Sequence, residues 1–335
     1  MSVWTINKKP VYAPMLSTFG GGSVRGFGGG GAAGGGAGLG DRALFSGGQN
    51  GFRETIDTIE ITTTGNATDF GDLSIDHERP GACGDTTRGL LFGGQNSGGR
   101  TNTIEYLTYA STGSGTDFGD MQNNSVQCSG YNNDTRGVMN EGNNGSYTNI
   151  IDYVTIQSTG NASDFGDLTV ARGWDPAAFS SNTRGITAGG STSASASNII
   201  DYTTIASGGN ATDFGDTTIG YGIYASCGAS SPTRGLIFVG QYSDGPLSNA
   251  IHYVTIASTG NSVDFGDLTN SRYFAAGAST HERAVCAGGL ASGVYQDRID
   301  YVTIDTTGNA TDFGDLTVGR SYIAGSCAGN GGLSA

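Results

Sequence analysis

The tetrapeptide Asp-Phe-Gly-Asp begins at Asp69, Asp117, Asp164, Asp213, Asp264 and Asp312, so almost everything after residue 41 is one phrase repeated at spacings of 48, 47, 49, 51 and 48 residues. A fixed period of this kind means that one supersecondary unit, unable to bury its apolar face alone, is packed against copies of itself. Ahead of each tetrapeptide lies a β-branched and aromatic run, such as IIDYVTI (150–156) or RIDYVTI (298–304), which reads as a strand. The pairs Gly65-Asn66, Gly160-Asn161, Gly209-Asn210 and Gly308-Asn309 stand between run and tetrapeptide and suit a tight hairpin with positive φ at its first turn position. Upstream, a third run starts at Arg42, Arg88, Arg136, Arg184, Arg234 or Arg283, and most copies end in Gly-Gly. A fourth run, rich in Ala, Gly, Ser and Cys, precedes the Arg, and its small residues suit a strand crowded against its counterparts near an axis.

Four short strands in each repeat of roughly 40–50 residues is the pattern of a propeller blade. With the strands named a (small residues), b (from the Arg), c (usually with a Tyr) and d (Asp-Phe-Gly-Asp), the first recognisable strand is a b strand at 42–48. The last, SYIAGSCAG (321–329), is an a strand. Pairing the two closes a ring of six blades without an open edge. An open solenoid, the alternative, would have no use for a unit split between its ends. The expected architecture is therefore all-β: a six-bladed propeller over 42–335, with a Gly-rich arm over 1–41.

Composition narrows the function. The 60 Gly among 335 residues disfavour helix, and a net charge of −14 argues against nucleic acid and anionic membrane surfaces. No run of about 18 apolar residues is present to span a bilayer. The leader MSVWTINKKPVYAPML lacks the apolar stretch of a secretory signal, so the expectation is a chain not exported by that route or already processed. Five Cys are too few for a disulfide framework and lack metal-site spacing. Cys83, Cys128, Cys227 and Cys327 are expected in a strands as buried thiols. His77, His252 and His281 sit near no Cys or second His at ligand spacing, and no nucleophile elbow accompanies them. No catalytic residue, metal or cofactor is assigned, and the chain is not read as an enzyme.

Asp-Phe-Gly is also a magnesium-binding phrase of kinases, but a catalytic residue is needed once and this phrase occurs six times. The scaffold reading places the Phe between blades, lets the Gly permit a bulge or a close backbone approach, and pairs the Asp with turn amides or with the six repeated Arg. The competing readings, a cationic Arg ring and a calcium site, are weaker, because twelve nearby acids compete for the Arg and the acidic spacing is too sparse for a calcium loop. Gly26 to Gly31 fit a dinucleotide pattern by composition alone, with no strand and helix around them.

Gly93-Gly94 followed by Tyr106 and Phe118, and Gly189-Gly190 followed by Tyr202 and Phe214, resemble the blade of the kelch family of β-propellers. Blade 1 departs from it, with Ile61 read at the Tyr position, and Phe stands throughout where that family usually has Trp. The DFGDLT-type repeat and the leader APMLSTFGGGSVRGFG (13–28) are similar to virion and tail-associated proteins of marine bacteriophages. That resemblance implies a virion role, as a tail fibre or host-recognition protein, with a capsid decoration subunit as the alternative. A secreted bacterial lectin or enzyme is the other rival.

In a sheet ordered a, b, c, d, the b–c and d–a loops share one face, and variable loops on a rigid scaffold are where binding residues are normally placed. Their Asn, Gln, Ser and Gly with single aromatics suit neutral polar ligands such as sugars. Phe52, Tyr147, Tyr242 and Tyr295 are the candidates from the b–c loops, with Trp174 and Tyr273 from the d–a loops; plain loop solvation is the competing reading. In the arm, Trp4, Val11, Tyr12 and Met15 are the expected anchors onto other virion proteins.

Overall fold

The computed structural model describes residues 41–50, 54–217, 221–243 and 245–329, with no α-helix among them. Their apolar runs form six four-stranded antiparallel sheets, each with its strands in the order a, b, c, d. In blade 2 these are Gly81–Gly84, Arg88–Phe92, Thr103–Thr108 and Thr116–Asp120. Blade 1 is composite. Its Arg42–Ser46, Thr55–Glu60 and Thr68–Asp72 receive their inner strand from Ala324–Cys327, which runs antiparallel to Arg42–Ser46 with Ala43 opposite Cys327 and Ser46 opposite Ala324. The chain is thus a six-bladed β-propeller closed by its split unit.

The inner strands leave almost no room for side chains. A Cβ on Gly277 would stand 2.2 Å from the Gly228 carbonyl oxygen of the next inner strand. Hydroxyls and a thiol use that proximity to step around the axis. Ser180 Oγ donates to Asn132 O at 2.6 Å, Ser230 Oγ to Ser180 O and Ser279 Oγ to Ser230 O at 2.8 Å each, and Cys327 Sγ to Ser279 O at 2.8 Å. Cys83, Cys227 and Cys327 lie in inner strands as expected, whereas Cys128 stands one residue ahead of Ser129–Asn132.

At the outside, Asp-Phe-Gly-Asp works mainly through its backbone. The Phe is buried in a cluster shared by two blades, as Phe313 is with Ile59 and Ile61 of blade 1. Strand pairing passes from Gly166 to Asp164, which makes Phe165 the extra residue of a bulge. Gly166 has φ 143°, and a Cβ there would lie 2.5 Å from the Gly209 carbonyl carbon in the next blade's c–d turn. That approach lets Gly209 N donate to Phe165 O and Ala211 N to Asp167 O, both at 2.7 Å. The same two bonds recur at every junction, including blade 6 to blade 1, where Gly65 N meets Phe313 O at 2.9 Å and Ala67 N meets Asp315 O at 2.7 Å. The tetrapeptide is a clasp that occupies the edge of each outer strand.

The expected ion pairs between the six Arg and these Asp do not form. The guanidiniums of Arg88, Arg136, Arg184, Arg234 and Arg283 lie over the rings of Tyr106, Tyr153, Tyr202, Tyr253 and Tyr301, 4.4 to 4.7 Å from the centroids. Each then reaches across the junction and donates to the first carbonyl after the next blade's c strand, as Arg136 does to Ile205 and Arg283 to Ile61, both at 2.9 Å. Each Tyr in turn meets its blade's Phe edge-on, Tyr153 and Phe165 at 5.9 Å. The first Asp of every tetrapeptide is exposed instead, because it sits on the outermost strand while the Arg begins a strand two places further in.

The register also corrects blade 1. Leu44 faces Thr58 as Leu90 faces Tyr106, so Thr58 holds the Tyr position, and Ile61 corresponds to Tyr109, the residue that follows the c strand of blade 2. Lacking a ring, Arg42 pairs with Glu60 at 3.3 Å and still donates to Tyr109 O at 2.6 Å.

Arg283→Met removes a charge-assisted bond and a cation–π contact, and is expected to lower the unfolding free energy in denaturant titration by about 1–3 kcal/mol. Asp312→Asn is expected to leave it unchanged, which ion pairing would not allow.

Candidate functional site

The d–a and b–c loops open on the same end of the propeller, bridged to each other within each blade, as Val126 is to Asn143 and Tyr273 to Leu290. Each d–a loop then turns to the axis and enters strand a through a residue of positive φ. Two positions before the six a strands stand Arg79, Gln127, Asp175, Ala225, Phe274 and Tyr322, with φ between 50° and 61°. The turn aims their N–H groups at the preceding blade. Gln127 N donates to Arg79 O at 3.0 Å, Ala225 N to Trp174 O at 2.8 Å, Phe274 N to Ala225 O at 3.1 Å, Tyr322 N to Phe274 O at 2.8 Å and Arg79 N to Tyr322 O at 3.2 Å. In blade 4 the loop carries a second such residue, Trp174 (φ 59°), whose N–H takes the Gln127 side chain, Oε1, at 3.3 Å. The result is a closed hydrogen-bonded belt around the axis.

This geometry is costly for any residue with a Cβ, at roughly 1–2 kcal/mol each. Among the described residues Gly stands at two dozen other positive-φ positions, yet at none of these. Seven of the nine described non-Gly residues with positive φ belong to the belt. Backbone demands alone would be met better by Gly, so the side chains are retained against the local energetics.

Those side chains divide the mouth of the axis in two. On one side Trp174, Tyr224, Tyr273, Phe274 and Tyr322 gather: Phe274 stacks on Tyr322 at 3.8 Å, Trp174 lies 5.8 Å from both Tyr224 and Phe274, and Tyr273 lies 4.4 Å from Phe274. Phe274 and Tyr322 are buried as a floor; Trp174, Tyr224 and Tyr273 are half-buried and present ring surface. On the other side Arg79 lies over the Tyr322 ring at 4.3 Å and meets the buried Glu78 at 3.1 Å. Asp175 Oδ2 is buried there without a hydrogen bond. Burial pushes the Asp175 carboxyl up to about 7, against the pull of the Arg79 charge. Beneath the belt lies an axial cavity of about 90 Å³, lined by residues such as Ser129, Gly130, Ser226 and Cys227. At about 30 Å³ per liquid water, that space suits a few waters, so a larger ligand would rest on the belt.

Of the candidates from the sequence, Trp174 and Tyr273 meet in the belt cluster. Tyr147 lies against Gly173 and Tyr242 pairs with Ile223, both of d–a loops, and Tyr295 pairs with Leu290 in a short hairpin, so these three stay out of the belt cluster. Phe52, Trp4, Val11, Tyr12 and Met15 lie outside the described residues. Arg79, Asp175, Tyr224, Phe274 and Tyr322 escaped the sequence reading. The signal for Arg79, Asp175, Phe274 and Tyr322 was a position that differs in every copy of an otherwise repetitive phrase; Tyr224 stands one residue before that position.

A second polar set lies behind the belt. Arg172, Arg272 and Arg320, each eight residues after the first Asp of its tetrapeptide, are fully buried and bind Asp201, Asp300 and Asp57 of the following c strands at 2.9, 2.8 and 3.1 Å. Where the base changes, its partner changes with it. His77, held neutral by burial, takes the Arg place and lies 3.9 Å from Glu105, and blade 5 carries His252 in place of the Asp. Blade 3 has Ser125 and no cation, leaving Asp152 to Gln122 and Glu141 to Asn123. Burial raises both carboxyls, Glu141 to about 7. Among the described residues no three His, Cys, Asp or Glu come together as a metal site.

The chain matches no protein-family model, and no curated protein is similar to it in sequence.

A carboxyl raised in the folded state binds its proton more tightly there, so stability falls as pH rises from the ordinary carboxylate range to the raised value. Asp175→Gly relieves both that penalty and the backbone cost. Its melting temperature is expected to exceed wild type by a margin that widens from pH 5 to pH 8. Glu141→Gln is expected to be relatively more stable at pH 8 than at pH 5 in the same comparison. Matching each variant to wild type cancels the opposite slope that the neutral His77 and His252 add below pH 6.5.

Proposed function

We propose that this chain is a bacteriophage virion protein, a tail fibre or other host-recognition propeller, which binds surface glycans at the belt end and is anchored to other virion proteins by residues 1–41. The observation that carries the binding reading is the belt: seven non-Gly residues held at positive φ around one axis, in a chain that uses Gly freely elsewhere. Partly exposed Trp174, Tyr224 and Tyr273 offer ring faces to the C–H face of a sugar. Arg79 donates hydrogen bonds, and Asp175, with its raised carboxyl, can donate or accept them beside the hydroxyls. The succession of Gly-Gly, Tyr and Phe supports a kelch-like blade, and the phrase similarity to phage proteins supports the virion role. No chemistry is proposed for the site.

The test is binding of the full-length protein to a glycan array and to candidate host cells, wild type against Trp174→Ala/Tyr273→Ala. The expected outcome is at least tenfold weaker binding by the double variant, which stays folded with a melting temperature lower by only a few degrees from the lost ring contacts. Equal binding removes the belt from recognition. Immunogold labelling of purified particles checks the virion role: label at the tail supports it, label over the capsid favours a decoration subunit, and unlabelled particles favour a secreted lectin.

A further inference from the structure

None of the five cysteines is in a disulfide. Two of them face each other across the junction of blades 5 and 6: Cys227, which opens strand a (Cys227–Ser230), and Cys286, in strand b (Arg283–Ala287), with Sγ to Sγ 3.9 Å. The corresponding places at other junctions show that packing does not require sulfur. Ala177 with Ile237 fills the blade 4 to blade 5 junction, Ala276 with Phe45 fills blade 6 to blade 1, and Ser129 with Thr187 is joined through Asn140 Nδ2 at 3.0 Å to each. Cys227 also lines the axial cavity, which gives a small reagent a route to the pair. The Arg272 guanidinium donates to Cys286 O at 2.9 Å. The hydrogen bond with Cys227, and then that guanidinium, hold the Cys286 thiol below its usual range in spite of burial. A depressed thiol is the more reactive one.

We propose that Cys227 and Cys286 form an oxidative modification site, converted by a peroxide into a disulfide that staples blade 5 to blade 6. The thiolate that takes one peroxide oxygen becomes a sulfenic acid and releases hydroxide. The second sulfur then displaces the sulfenic oxygen, which leaves as water. Two thiols and one peroxide thus give one disulfide and two waters, and a thiol reductant reverses the bond. The sulfurs must close to about 2 Å. The cross-link ties residues 59 apart and restricts the unfolded chain.

Full-length protein is treated with hydrogen peroxide, then denatured, alkylated and digested without reductant. Expected are a fall in free thiols from five to three, one linked species joining the Cys227 and Cys286 peptides, and a rise of several degrees in melting temperature that reductant reverses. Cys227→Ser and Cys286→Ser are each expected to keep their remaining four thiols and show no rise. A count that stays at five, a linkage involving another cysteine, or oxidation that stops at the sulfinic acid overturns the proposal. The wild-type peptide map decides alone if a variant does not fold.

Discussion

Six inner strands drawn against one axis leave backbone in contact with backbone, and the rest of the molecule answers to that crowding. It selects the small residues of the a strands, so that even a methyl at Gly277 would collide with Gly228. It also brings carbonyls within reach of neighbouring hydroxyls, and of the N–H groups that form the belt one step further along the axis. Further out the blades diverge and the bonding changes in kind. Arg over Tyr over Phe fills the widening wedge, and the bulged Gly of each tetrapeptide lets the outermost backbone bond to the next blade. Each radius therefore has its own device for holding two blades together.

The same radial order separates scaffold from surface. The clasp and the Arg–Tyr–Phe wedge are nearly uniform from blade to blade, as packing of equivalent units requires. The belt shares its backbone path among all blades but changes its side chain in each: Arg, Gln, Asp, Ala, Phe and Tyr. A sixfold frame is in this way given one apolar side and one charged side, an asymmetry that no single repeat carries. Asp175 shows the energetic consequence, since one buried carboxylate oxygen, Oδ2, is left without a hydrogen bond where the surrounding belt fixes its backbone.

Much of this was legible in the sequence, and for identifiable reasons. The period, the small-residue inner strand and the closure of 42–48 by 321–329 are local or periodic signals, and a six-bladed ring follows from them. The Gly-Asn pairs were misread as tight hairpin turns: seven residues, such as 156–162, separate the c and d strands, and Gly160 N donates to Phe118 O of the preceding blade because the clasp claims it. The Arg partners were misjudged because charge complementarity ignores radius. Arg136 begins the second strand from the axis and finds a ring and a carbonyl, while Asp164 lies at the rim in water. The belt was missed because positive φ at Phe274 or Tyr322 is imposed by a neighbouring blade nearly 50 residues away along the chain, and no turn residue marks it. Trp174 and Tyr273 were found for their chemistry, but their convergence needed the topology.

Blade 1 differs from the others in when it can exist. Blades 2 to 6 are each assembled from one continuous stretch, whereas Arg42–Ser46, paired outward with Thr55–Glu60, must wait for its inner partner almost 280 residues later, at Ala324–Cys327. Contacts of such long separation are entropically expensive and slow to form. The seam between those two strands is therefore the last part of the ring to be sealed as the chain folds, and the natural point of first rupture when the protein is pulled or heated.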